Sequence, residues 1–277
     1  MPDKKLIKSD LTKILFFGDV SGTLGRQGIK KMAPLWKEKY QADIIIANVE
    51  NLAHNKGLTL KTMAEMAEAG VEMFTGGNHI WKKYEIEKMA KETDYKIAAP
   101  ANDSRCPEKY LFQITEVNGA KLAVINLNGR TFMEHETTLS NPFIKIDKLL
   151  SQIPKDANII IDMHAEATSD KRAMGLYLDG RVSVVLGTHT HIPTADAQIL
   201  EKGTGYLTDI GMVGAYPSVL GIKQEIIIEK FLTESRIRHD LPTTGQIEVN
   251  AVLLEIDNHS HKTTDIKLLR EIISPTG

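Results

Sequence analysis

Five short segments carry side chains able to bind a metal ion: Gly18-Asp19, Glu50-Asn51, Gly77-Asn78-His79, Asp162-Met163-His164 and Gly187-Thr188-His189-Thr190-His191. Together they offer carboxylate, amide and imidazole groups without a thiolate. That set suits manganese, iron, zinc or another borderline divalent ion. A structural zinc site would want cysteines, and the chain has only Cys106. So many donors exceed what a single ion needs. They fit two ions sharing a bridging carboxylate roughly 3.5–4 Å apart, an arrangement that hydrolyses phosphate esters. Taken singly, an Asp or Asn after a strand is an ordinary turn or cap residue. Their joint occurrence is what points to chemistry.

The elements that must position these groups alternate in type. Residues 14–17, 44–47 and 71–75 are apolar, β-branched runs that read as buried strands. Between them, residues 25–40 and 60–69 read as helices. Leu60, Met63, Ala64 and Ala67 share one face of the second, which stops at Gly70. Pro34 removes a helical amide and predicts a bend in the first. A further helix is expected over 81–89. Such alternation implies parallel strands joined by right-handed crossovers.

The middle of the chain changes character. Residues 110–117 and 121–127 alternate around Asn118-Gly119, a strong hairpin signal. A helix over 144–150 is followed by strands at 159–161, 182–186 and 206–208, and by a hairpin from 249–256 to 264–272. About ten strands with few helices in the second half predict an α/β protein with two mixed sheets flanked by helices. No linker divides the chain, so one domain over residues 1–277 is expected. The least regular stretch, 211–246, is expected to form a surface cap or a contact between copies in a homo-oligomer. Ligands gather beyond the carboxyl ends of parallel strands, and each donor segment follows a predicted strand.

Composition narrows the partners. With 34 basic and 36 acidic side chains the net charge is −2, which argues against a surface that neutralises a long nucleic acid. The single cysteine gives no sign of an oxidising compartment, and Cys106 is read as structural. No apolar run approaches the ~20 residues needed to span a bilayer, so no membrane partner and a cytoplasmic location are expected. Among the nine histidines, His259 and His261 read as a solvated hairpin turn, and His135 and His239 lie in charged loops. His54, shortly after Glu50-Asn51, and Arg130, at the end of the hairpin, are candidates for substrate contact. Rival motifs fail: Gly22, Gly25 and Gly28 do not have G-x-G-x-x-G spacing, and neither a Walker-type loop nor a G-x-S-x-G elbow occurs.

The donor segments resemble those of the calcineurin-like metallophosphoesterases, which carry Gly-Asp-x-His, a second acidic strand end, Gly-Asn-His, a later His and Gly-His-x-His. Ser21 stands where the first block expects histidine, and Glu50-Asn51 where most relatives carry Asp. Both departures are similar to one subgroup, the YmdB-like 2′,3′-cyclic-nucleotide phosphodiesterases. The similarity continues through Asn126-Leu127-x-Gly129-Arg130-Thr131-Phe132, through the residues that follow His164, and through Thr194-Ala195-Asp196, over residues 13–256.

That resemblance implies a four-layer α/β/β/α sandwich holding two divalent or trivalent metal ions, iron or manganese. Asp19, Glu50, Asn51 and His191 would hold one ion, and Glu50, Asn78, His164 and His189 the other, with Glu50 bridging. His79 would be the general acid. The implied activity is hydrolysis of 2′,3′-cyclic nucleotides by a hydroxide whose parent water has its pKa lowered from 15.7 towards about 7. Two alternatives stay open: an enzyme for another phosphoester (a monoester, a 3′,5′-cyclic nucleotide or an RNA end), and a non-catalytic metal-binding regulator.

Overall fold

A computed structural model describes residues 10–54, 56–83, 85–133, 138–234 and 240–275. The chain opens with β1 (Leu11–Val20), α1 (Gly22–Tyr40), β2 (Ile44–Asn48), α2 (Leu60–Glu68), β3 (Met73–Thr75), α3 (Glu85–Glu92) and β4 (Ile97–Ala98). It continues through β5 (Gln113–Val117), β6 (Ala120–Asn128), α4 (Pro142–Leu150), β7 (Ala157–His164), α5 (Thr168–Leu178) and β8 (Val184–Thr188). It closes with β9 (Gln198–Ile199), β10 (Gly205–Leu207), β11 (Met212–Tyr216), α6 (Gln224–Thr233), β12 (Gln246–Asp257) and β13 (Thr263–Ile273).

The strands form a seven-stranded sheet, ordered β13-β12-β11-β1-β2-β3-β4, and a six-stranded sheet, ordered β5-β6-β7-β8-β10-β9. Both are mixed: the seven-stranded sheet is parallel from β11 to β4 and antiparallel on its β12–β13 side, and the six-stranded sheet has a parallel centre with antiparallel β5 and β9 at its edges. Successive strand residues face opposite ways, and β1 shows why four layers result. Leu15 and Phe17 join a core with Ile29, Met32 and Trp36 of α1, and Phe17 stacks on Trp36 at 5.7 Å. Ile14 and Phe16 point the other way, into a core shared with Val124, Ile160 and Val184 of the second sheet. A third core lies between that sheet and α4 and α5, built from Ile125, Ile161, Ile146, Leu149 and Met174. The expected two mixed sheets flanked by helices are present as an α/β/β/α sandwich.

Two local expectations need correction. Residues 212–216 lie neither in a cap nor in a loop: they form β11, buried between β1 and β12. Helix α6, with exposed Ile228, Phe231 and Leu232, is surface structure in this region. Helix α5 lies outside the elements expected from sequence, because its inner face at Lys171, Met174, Gly175 and Leu178 includes a lysine and hides the apolar period. Helix α1 covers the expected 25–40 span, begins three residues earlier at Gly22 and has Pro34 inside it.

Candidate metal centre

The carboxyl ends of both sheets meet at one place. Asp19 is the penultimate residue of β1, Glu50 and Asn51 follow β2, and Asn78 and His79 follow β3, while His164 ends β7 and His189 and His191 follow β8. A register shift between Phe17 and Asp19 in the β1–β2 pair lets β1 bend where its acid must point inward. The amide of Gly22 at φ 60 donates to the Asn51 carbonyl at 2.9 Å, and the amide of Gly57 donates to that of Glu50 at 2.6 Å. His189 and His191 sit at φ 97 and 65. Non-glycine residues pay for that conformation and keep it only when their surroundings impose it.

Four donor atoms converge on one point. His164 Nε2 lies 3.1 Å from Asn78 Oδ1, 3.3 Å from Glu50 Oε2 and 3.0 Å from His189 Nδ1. A single imidazole N–H cannot serve three lone pairs. Ligands about 2.1 Å from one ion stand roughly 3.0–3.4 Å from each other, which is the spacing found here. Glu50, His164 and His189 each place a ligand atom within 4.8 Å of the others. On the far side of Glu50, Oε1 lies 3.0 Å from Asn51 Nδ2, and Asn51 Nδ2 lies 3.3 Å from His191 Nε2. Asp19 Oδ1, 3.8 Å from His191 Nε2, is fully buried with no hydrogen-bond partner, as an atom reserved for a cation would be. The chain therefore fits a metal at this site. Asn51 departs from a ligand's geometry: its Oδ1 turns to His79 Nδ1 at 2.9 Å.

Burial and the crowding of charges shift the titration of these groups. Burial pushes the Asp19 carboxyl up. Burial acts in the same direction on Glu50, but His164 and His79 outweigh it and hold that carboxyl well below the usual range. His164 loses charge preference through burial and regains more from Glu50, Asp19 and Asp162, reaching about 9. Burial, then the neighbouring His164, lowers His189 to about 3.

A second set of residues, none of them assigned a ligand role from the sequence, orients the donors. Thr188 Oγ1 faces His164 Nδ1 at 2.9 Å and donates to Asp162 at 2.6 Å, and Asn48 Nδ2 reaches the other Asp162 oxygen at 3.1 Å. Burial raises Asp162 to about 6. Glu166 Oε2 lies 3.1 Å from His189 Nε2, which turns Nδ1 towards the cluster. Between His189 and His191, the Thr190 amide and hydroxyl both donate to Asp209, which is paired with fully buried Lys171 at 2.6 Å. The His189 amide donates to Asp19 at 3.0 Å. Asp162, Thr188 and Thr190 lie in the donor segments already singled out, whereas nothing local marks Asn48, Lys171 or Asp209.

The other predicted contacts stand apart. His54 is exposed at φ 55, and no hydrogen bond ties its side chain to the cluster among the described residues. Arg130 is exposed and reaches Asp170 only through its amide. His259 lies 3.3 Å from Asp10, and His261 is half-buried against Asn158 at 2.9 Å, both in the β12–β13 turn. His135 and His239 lie outside the described residues.

Sandwich and site together define a calcineurin-like metallophosphoesterase fold. The profile of the YmdB-like protein family matches residues 15–269, and the chain belongs to that family. It is 43% identical over 257 residues, 92% of this chain and 95% of the relative, to the 2′,3′-cyclic-nucleotide 2′-phosphodiesterase of Bacillus subtilis (strain 168). A crystal structure described as a novel phosphatase from Mycoplasma pneumoniae superposes with a TM-score of 0.87 at 35% identity, covering 95% of this chain and 94% of that one. A hypothetical protein from Thermus thermophilus gives 0.86 at 35% identity, covering 95% and 100%.

Proposed function

We propose that this chain is a phosphodiesterase that hydrolyses 2′,3′-cyclic nucleotides to nucleoside monophosphates at a centre of two metal ions, iron or manganese. The observation that carries this reading is the sharing of Glu50 between two donor sets. Its Oε2 joins the atoms of Asn78, His164 and His189, while its Oε1 accepts from the Asn51 amide, which in turn meets His191 beside the unpartnered oxygen of Asp19. Asn51 would bind through Oδ1 after a half-turn of its amide. When bound, two ions supply a water of lowered pKa and neutralise charge on the phosphoryl oxygens.

His79 is the residue we assign as general acid. Its amide donates to Glu50 Oε2 at 2.9 Å and its Nδ1 is held by Asn51, so the ring cannot drift from the bridging carboxylate. Nε2 has no partner among the described residues and is the atom that would protonate the departing ribose oxygen. A strained cyclic phosphate needs modest leaving-group help, which one imidazole can give. The substrate is a small phosphoester, and the chain's own charge of −2 is offset at the site by the cations it would hold. Among the described residues no helix is long and apolar enough to cross a membrane; a cytoplasmic location is part of the proposal.

His79→Ala should keep its metal and lose about 10²–10⁴-fold in turnover of 2′,3′-cyclic AMP. Asp19→Asn and His189→Ala should lose metal. Loss of metal from the His79 variant in step with activity would remove it as the acid, and full metal content in the other two would remove the ligand assignment. Preference for a monoester or a 3′,5′-cyclic nucleotide in a substrate panel would move the chain to another phosphoesterase class.

A further inference from the structure

Phe132 is the most exposed large apolar residue among the described ones, at 83%. Its backbone lies at φ 61, in the left-handed region that a bulky side chain rarely occupies. Among the described residues, packing accounts for neither feature. Yet the segment that bears it is firmly held. The Gly129 amide donates to the carbonyl of His164 at 2.8 Å. The Asp170 carboxylate accepts from the amides of Arg130 and Thr131 at 2.9 and 3.1 Å and from the Thr131 hydroxyl at 2.9 Å. The Met133 amide closes the turn on the Arg130 carbonyl at 3.3 Å. An exposed ring on an unfavourable backbone, fixed by this many bonds, is held for something outside the chain. Three residues span at most about 11 Å of backbone, so the Cα of Phe132 lies within that reach of Gly129, which is bonded to the backbone of the site residue His164.

We propose that Phe132 is the platform on which the base of a nucleotide stacks while its phosphate occupies the metal centre. This rests on the phosphodiesterase reading and adds to it what distinguishes a nucleotide from any other phosphoester. Of the parts of such a substrate, only the base has a flat apolar face that can cover a phenyl ring. Every base has such a face, so the platform gives affinity with little preference among bases. The neighbouring Arg130 side chain, without an ion pair among the described residues, lies in the same held turn.

The test compares 2′,3′-cyclic AMP with base-free ribose 2′,3′-cyclic phosphate. Removing a stacked aromatic costs about 1–3 kcal/mol, or roughly 5- to 140-fold in affinity. Phe132→Ala should raise KM for the nucleotide by that factor, change kcat little, and leave KM for the base-free ester unchanged. Phe132→Trp should restore the nucleotide KM. Equal effects on both substrates, or none on either, would overturn the proposal. So would a change of oligomeric state on sedimentation with KM intact, which would make Phe132 a contact between copies. Failure of the phosphodiesterase reading would show separately, as wild-type protein inactive on both esters, and would overturn this inference with it.

Discussion

Gly77→Ala tests the geometry of the centre without touching a donor. A Cβ built on Gly77 would lie 2.2 Å from Glu50 Oε2 and 2.3 Å from His164 Nε2. Non-bonded heavy atoms come to rest near 3.5 Å, so both donors would have to retreat by about 1 Å. Neither has room, since Glu50 is 1% exposed and His164 is fully buried. Glu50 Oε2 also accepts the His79 amide, so its retreat would carry His79 along. Metal sites tolerate about 0.2 Å in ligand distance, and a misplacement of 1 Å costs on the order of 10²-fold in rate. The backbone at Gly77 is not in the left-handed region, so the methyl acts by its bulk alone. We expect the variant to fold, to lose metal on elemental analysis, and to turn over 2′,3′-cyclic AMP at least about 100-fold more slowly. Wild-type metal content with turnover within about threefold would refute the reasoning. Gly187→Ala is the contrasting case: its Cβ would lie 1.7 Å from the Thr208 backbone carbonyl oxygen, so the strands themselves must part and stability should fall.

Three further outcomes are expected. Lys171→Met leaves Asp209 charged and buried, which costs about 3 kcal/mol or more and should lower Tm by on the order of 10 °C; Lys171→Met with Asp209→Asn should recover part of this, and an unchanged Tm in the single variant would contradict it. Glu166→Gln removes the carboxylate that orients His189 and should weaken metal affinity about 10- to 100-fold in a chelator competition, with a shift under about twofold counting against that role. Burial pushes the Cys106 thiol up to about 12. A raised folded pKa means this stabilisation is whole below the unfolded value near 8.5 and is lost as pH rises towards the folded one, so stability should decline above pH ~9 in a way that Cys106→Ala abolishes. Rapid reaction of the native thiol with a disulfide reagent at pH ~8 would contradict that burial.

Much of this was visible in the chain because β1 and β2 are buried on both faces, so apolar runs such as Ile44 to Ile46 end abruptly at polar groups. Those abrupt ends are the donor segments, and the structure brings them together. What was hidden depends on distant partners. Strand β11 is five residues with a central glycine, and it becomes a strand only because β1 and β12 flank it. Lys171 and Asp209 are 38 residues apart, and nothing local marks either as half of a buried pair. Position in sequence pointed to Asn51 but could not show its oxygen turned to His79. Nor could it show that His54 stands exposed outside the cluster.

The most direct test of the central claim is elemental analysis of the purified protein, run with hydrolysis of 2′,3′-cyclic AMP on the same sample. Two equivalents of iron or manganese, with turnover to a nucleoside monophosphate that disappears on chelation and returns with metal, is the result expected from Glu50 shared between two donor sets. Turnover that persists in metal-free protein, or full metal loading without hydrolysis of the cyclic nucleotide, would contradict it.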